Sequence, residues 1–359
     1  MRIDRRGVLA GVAAAGASVV PARAQGAGEV RWKLASSFPK SLPILFNAAE
    51  NLARRVDQLT NGRLKIQIFA AGEIVGGLQV MDAVGSGTVE AGHSATFYYT
   101  GKNKAFSFDT GLPFGLNSRQ HIAWMTQGGG IDLLRPLFAR FGIVQFPLGN
   151  TGCQMGGWFR KEINSVADLA GLKMRIPGVA GEILSKLGVV PQTIAAGDIY
   201  PSLERGTIDA VEWVGPADDE RLGFQKVAKY YYAPGWWDCG PQISLYINDR
   251  AWASLPDDFK AAIETASAES TMQMLAQYDT QNMAALRRIV GAGAQLRHFP
   301  RDVMEASYKA AQDYSREESD RNPEFKRIYE PWSKFRDEIQ QWFRVAELQY
   351  DVFAHTQRR

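Results

Sequence analysis

The chain has 359 residues, 45% hydrophobic and 22% charged, an ordinary globular composition with length for roughly two domains. Its formal charge of +3 lies wholly in the first 24 residues, where Arg2, Arg5, Arg6 and Arg23 face one acid, Asp4; the remainder carries 37 basic and 37 acidic side chains. A neutral body of this kind excludes electrostatic capture of nucleic acid or of an anionic membrane.

Residues 1–24 combine a charged start, a short apolar run to Val20 and an Ala22-Arg23-Ala24 ending, the parts of an export signal. Arg5-Arg6 before Gly-Val-Leu resembles the twin-arginine type, the alternative being an ordinary signal with adjacent arginines. The run is shorter than the roughly 20 residues needed to span a bilayer, so a soluble, periplasmic protein is expected. Only two cysteines occur, Cys153 and Cys239, so no disulfide framework holds the fold. One bridge is permitted; two separate buried thiols are the favoured reading.

Val30 to Ser37 alternates as a strand, and Pro39 to Leu59 carries apolar residues at helical spacing up to Asn61-Gly62. Leu64 to Phe69 alternates again, Gly77 to Val84 reads as a helix, and Ala91 to Ala95 as a short strand. A second unit follows the same rhythm: a strand in Gln154–Phe159, a short helix in Ser165–Gly171, a strand at Lys173–Ile176, then helices at Gly181–Leu187 and from Tyr200. From Pro256 the chain turns helical, interrupted at Gly291-Ala-Gly293. The expected architecture is α/β: two lobes with a ligand cleft between them and a long helical C-terminal region. Lobe 1 would span 25–150, completed by parts of about 240–280. The core of lobe 2 would span 151–239, completed by part of the later helices.

In the tail, about 324–359, Trp332, Ile339, Ala346 and Phe353 recur every seven residues, with Phe335 and Trp342 between them. One helix about three heptads long would carry them as a stripe, packed on its own domain or, in the sharper reading, on a second copy in a homodimer.

Signs of catalysis are missing. His93, His121, His298 and His355 do not fall in a zinc spacing, there is no Gly-x-Ser-x-Gly elbow, and Gly128-Gly-Gly130 lacks a phosphate-loop pattern. What stands out instead are polar and aromatic segments at expected strand ends: Ser36 to Pro39, Phe97 to Tyr99, Gly149 to Gln154, Met174 to Ile176, Glu212-Trp213 and Trp236 to Gln242. Ligands of open α/β folds lie beyond the carboxyl ends of strands, where such loops converge. Arg175, between Met and Ile on a core strand, needs a matching negative charge, either a ligand carboxylate or an internal ion pair. Glu212, in Ala-Val-Glu-Trp-Val, poses the reverse problem, unless solvent reaches it.

Ser165-x-x-Asp-Leu-x-Gly-x-Lys-x-Arg175 and Tyr200-x-x-Leu-x-x-Gly-x-Ile-Asp-Ala-x-Glu-Trp213 resemble the DctP-type solute receptors of tripartite ATP-independent periplasmic (TRAP) transporters, from Trp32 onward. Asn150 to Arg160, Glu212 to Pro216 and Tyr230 to Trp237 are most similar to the branch that receives 2-oxo acids. The resemblance implies a receptor, not an enzyme, that binds a 2-oxo acid such as pyruvate and delivers it to the membrane subunits of a permease. It implies Arg175 as carboxylate clamp, with Asn150, Tyr98, Tyr99 and Phe38 lining the pocket. It also implies a cation bound with the substrate, sodium or another hard cation such as calcium, held by Gln154, Glu212, the Trp213 carbonyl and, as a weaker addition, Gln242. Cys153 departs from the pattern of that branch, and so does Thr-Gly-Lys after Tyr99, which bears on the ligand's tail. The alternatives are a same-fold receptor for lactate or an aromatic carboxylate with a divalent cation, and a secreted enzyme using Glu212 or Asp238 as base.

Overall fold

The computed structural model describes residues 28–357; the expected export signal lies outside them. Among the described residues, eleven strands form two sheets. The first contains β1 (Val30–Ser36), β2 (Leu64–Phe69), β3 (Ala91–Ser94), β4 (Ile143–Asn150) and, from much later in the chain, β10 (Gln242–Asn248). Its order is β2-β1-β3-β10-β4; β1 runs parallel to β2 and β3, and β10 lies antiparallel between β3 and β4. The second contains β5 (Gly157–Phe159), β6 (Lys173–Arg175), β7 (Val190–Gln192), β8 (Ala210–Val211), β9 (Tyr230–Ala233) and β11 (Gln295–His298), in the order β11-β9-β5-β8-β6-β7.

Local sequence explains the first elements. The helix Pro43–Leu59 buries Ile44, Leu45, Phe46, Ala48, Ala49, Leu52 and Val56 along one face. It begins at Pro43 and not at Pro39, because a proline is harmless in the first turn, where its missing N–H would lack a partner anyway. Likewise the expected Gly77–Val84 helix starts later, at Val80. In β10 all seven residues are buried, although its sequence Gln-Ile-Ser-Leu-Tyr-Ile-Asn alternates polar and apolar, because the structure covers both of its faces.

The chain passes between the sheets three times. Residues 151–156 lead from β4 to β5, residues 234–241 return from β9 to β10, and the helix Asp257–Gly291 leads to β11. At about 1.5 Å per residue that helix is roughly 50 Å long, enough to brace both halves. Toward the first sheet Glu269 pairs with Arg55 at 2.6 Å, and Ser267 donates to the Pro147 carbonyl. Toward the second, the Tyr278 hydroxyl donates to Asp218 Oδ2 at 2.7 Å, Asn282 Oδ1 accepts from Ala217 N at 3.0 Å, and Arg288 grips Glu220 with two 2.7 Å bonds.

The tail differs from a single striped helix. Asn322 caps Pro323–Phe343, accepting from the N–H groups of Glu324 and Phe325. In that helix Phe325, Ile328 and Trp332 are buried, while Phe335 and Ile339 pack against the core edge. A π-helical turn, Arg344–Leu348, then joins it to Gln349–Gln357. Trp342, ahead of that turn, and Phe353, beyond it, both face outward, at 62% and 64% exposure, and the wider turn shifts the heptad register between them. Among the described residues no helix is long and apolar enough to cross a membrane.

Candidate functional site

The site grows from one short pairing. β6 and β8 run parallel with Arg175 beside Val211, and Glu212 N donates to the Arg175 carbonyl at 3.0 Å. Glu212 and Trp213 thus leave the sheet at the carboxyl end of β8, where α/β sheets present ligands. Gly157, at φ 84°, lets β5 approach them: a Cβ there would lie 2.3 Å from the Val211 carbonyl oxygen.

Arg175 is fully buried. Its Nη1 donates to Glu212 Oε2 at 2.8 Å and to the Glu212 carbonyl at 2.6 Å, and its Nε donates to the Ile194 carbonyl at 3.3 Å. The guanidinium carbon lies 4.8 Å from the Trp213 ring centroid, a cation–π contact out of water. Only Nη2 lacks a strong partner; it makes one long bond, 3.4 Å, to the Tyr98 hydroxyl of the other half. The internal ion pair weighed for Arg175 is therefore present, and one edge of the fork stays toward the cleft.

Gln154 supplies the most informative contact. One terminal atom of its amide lies 2.8 Å from Glu212 Oε1 and 3.0 Å from the Trp213 carbonyl oxygen, and the other lies 3.1 Å from Thr151 Oγ1. With nitrogen toward Glu212 the amide donates to both oxygens. With oxygen there, three oxygens converge with no proton among them, a donor set that suits a hard cation. Burial pushes the Glu212 carboxyl well above the ordinary range, against the pull of Arg175. Burial also raises Asp238, to about 7, again opposed by Arg175. The Tyr98 hydroxyl is raised to about 12, mainly by burial.

A small cavity of about 10 Å³, roughly the room one water centre needs, lies where the halves meet. Phe38, Tyr98, Gln154, Arg175 and Trp213 all line it, as do Thr151 and Ile243, which sequence reasoning did not single out. The structure takes three expected residues elsewhere. Tyr99, one step of a tight turn beyond Tyr98, sends its hydroxyl into the first-sheet core, accepting from Met81 N at 3.2 Å beside Ser94. Asn150 clasps the two crossing segments: its Nδ2 donates to the Gly240 carbonyl and its Oδ1 accepts from Gly152 N. Gln242 donates to buried Asp109 at 3.0 Å and to Ser244, on the face of β10 opposite Ile243, so alternation along the strand turns it from the Gln154–Glu212 group.

Sequence reasoning also missed Asp218 and Asp219. Both are buried; Asp219 Oδ2 accepts from the Tyr231 hydroxyl at 2.7 Å and from Trp158 Nε1 at 3.0 Å. Burial raises them to about 6 and about 7. Two aspartates behind Gly-Pro at a helix start read as a solvated first turn, and only tertiary packing reveals them as a buried brace under Trp213.

The family described as bacterial extracellular solute-binding protein, family 7 (DctP), matches residues 35–321. A monocarboxylate 2-oxoacid-binding periplasmic protein of Nostoc sp. is 49% identical over 329 residues, 92% of this chain and 90% of its own. A TRAP transporter solute-binding protein from Bordetella bronchiseptica is 52% identical, with a TM-score of 0.91 over 92% of this chain and 98% of its own. That protein was crystallised as a mixed-occupancy dimer, one site with copurified calcium and picolinate and the other apo. A TRAP periplasmic solute-binding protein from Pseudoalteromonas atlantica, 38% identical with a TM-score of 0.87 over 90% of this chain and 98% of its own, holds sodium and pyruvate.

Proposed function

We propose that this chain, which belongs to the DctP family of bacterial extracellular solute-binding proteins, captures a 2-oxo acid such as pyruvate together with a hard cation and delivers it to a TRAP permease. The family consists of binding proteins, so the enzyme alternative with Glu212 or Asp238 as base falls away. The observation that carries the reading is the convergence of Gln154, Glu212 Oε1 and the Trp213 carbonyl beside the free edge of Arg175.

Each group has a part in this reading. Gln154, Glu212 and the Trp213 carbonyl hold the cation, whose charge adds to that of Arg175 in attracting an anion. Arg175 Nη2 and the Tyr98 hydroxyl take the carboxylate, and Phe38 with Ile243 walls off water. Asn150 acts through the crossing segments, while Tyr99 and Gln242 serve the first-sheet core. The two sheet-bearing halves are the lobes that close on the ligand, with residues 151–156 and 234–241 as hinge.

The Bordetella relative's picolinate favours a second reading, an aromatic carboxylate with calcium. Pyruvate and picolinate share a donor atom next to the carboxylate, so each closes a five-membered chelate ring on a cation. Export to the periplasm and a homodimer through the exposed tail complete the proposal; the Bordetella dimer supports the latter. Thermal-shift titration with pyruvate, 2-oxobutyrate, lactate and picolinate, each in sodium, calcium or chelator, tests it. Stabilisation by a 2-oxo acid that chelator weakens is expected; no response to any 2-oxo acid overturns the reading.

A further inference from the structure

The two hinge segments run side by side in opposite directions. Thr151 N donates to the Pro241 carbonyl at 3.2 Å, and Gln154 N donates to the Asp238 carbonyl at 3.1 Å. Asn150 Nδ2 reaches the Gly240 carbonyl at 2.9 Å, and Gly235 N donates to the Gln154 carbonyl at 3.0 Å. Counting inward from Thr151–Pro241 and from Gln154–Asp238 gives the same result: Cys153 stands opposite Cys239. A disulfide needs Cα atoms about 4.4–6.8 Å apart, a separation that facing positions on two neighbouring hydrogen-bonded segments can meet.

We propose that Cys153 and Cys239 are a redox-modifiable pair that forms a disulfide across the hinge. Both thiols are free in this structure, and neither is committed to a strong partner: Cys153 Sγ lies 3.8 Å from the Gln154 carbonyl and Cys239 Sγ 4.0 Å from that of Trp236. Cys153 is exposed and Cys239 partly so, which leaves Cys153 as the sulfur an oxidant meets first.

The chemistry is thiol–disulfide exchange with a small or protein disulfide as oxidant. The Cys153 thiolate attacks one sulfur of that disulfide, which releases a thiol and leaves a mixed disulfide. The Cys239 thiolate then attacks the Cys153 sulfur and expels the second thiol. Two electrons and two protons pass from the cysteines to the oxidant, which ends as two thiols. The new bond ties together the only two short crossings between the sheets among the described residues, enclosing the core of the second sheet in one covalent loop. It also fixes the backbone of Gln154, next to Cys153. The pairing is independent of which ligand the cleft takes.

Incubating the reduced full chain with oxidised glutathione at mildly alkaline pH tests this. The expected product is a monomer lighter by two hydrogen atoms, with one linked peptide pair containing Cys153 and Cys239. Its melting temperature should rise by about 5 °C or more and return on reduction. Cys153→Ser and Cys239→Ser should each remove the mass loss and the redox-dependent shift. A stable glutathione adduct on Cys153 with Cys239 still free, or a bridge between two chains, overturns the proposal.

Discussion

Arg175 and Glu212 form an ion pair whose side chains are 1% and 2% exposed, and the arginine also grips the backbone carbonyl of the same glutamate. The pair is thus held from two directions, and neither partner can be lost without stranding the other out of water. Arg175→Ala should abolish carboxylate binding and cost about 3–5 kcal/mol of stability through the unpaired Glu212. Calorimetric titration and urea unfolding measure the two effects. Affinity within a few-fold of the parent would show that the arginine does not touch the ligand.

Glu212→Gln keeps the size of the side chain but removes its charge. Ligand affinity should fall at least ~10-fold and lose its response to added sodium or calcium, a difference of about 1.4 kcal/mol or more. Titrations with and without chelator give the comparison. A persistent cation response would place the cation elsewhere.

Asp238, raised to about 7 by burial, gives the site a charge that changes near neutrality. A cation bound by Glu212 keeps that carboxylate ionised, so above that pH Arg175, Glu212 and Asp238 of the loaded site together carry one net negative charge; a divalent cation and a monoanion bring the set to zero. Below it, with Asp238 protonated, a monovalent cation does. The ratio of calcium-supported to sodium-supported affinity should therefore rise from pH 6 to pH 8. Asp238→Asn should flatten that rise.

Without ligand, the carboxyls of Asp219 and Asp238 are raised to about 7 in the folded chain, so near neutrality it binds protons that the unfolded chain has already released. Stability from these groups is present at low pH and falls as pH rises through about 7. His93 and His121 are lowered to about 3 and about 4 by burial, so their opposing effect begins only below the ordinary histidine range. Melting temperature should thus increase as pH falls from 8 to 6.5, and Asp219→Asn should reduce the slope.

Shortening the chain after Phe343 leaves Phe325, Ile328 and Trp332 in place and removes exposed Val345, Tyr350 and Phe353. The truncated protein should keep its melting temperature within a few degrees and sediment as a monomer. By contrast, Trp332→Ala should cost about 3–5 kcal/mol. Unchanged self-association of the truncated chain would rule out the tail as the contact.

Legibility in the sequence followed how each element meets water. β1 and β2 keep exposed positions, at Arg31, Lys33 and Lys65 among others, and their alternation shows. β10 has none, and its hydrogen-bond role emerges only once β3 and β4 flank it. Arg175 was legible because a charge between Met and Ile demands an explanation. Tyr98 and Tyr99 were not separable, since a single step of a tight turn sends one ring to the cleft and the other into the core. The π-turn that divides the tail has no compositional mark, so the seven-residue spacing overstated the stripe.

The amide of Gln154 has one further implication. With its nitrogen toward Glu212 Oε1 and the Trp213 carbonyl, it covers both oxygens with hydrogens and so acts as a built-in placeholder for positive charge. The oxygens therefore need no ion to stay gathered between one capture and the next. An arriving cation has to evict that placeholder by a half-turn of a single side-chain torsion. Loading would then be visible as a shift of one side-chain amide signal, separate from any movement of the lobes.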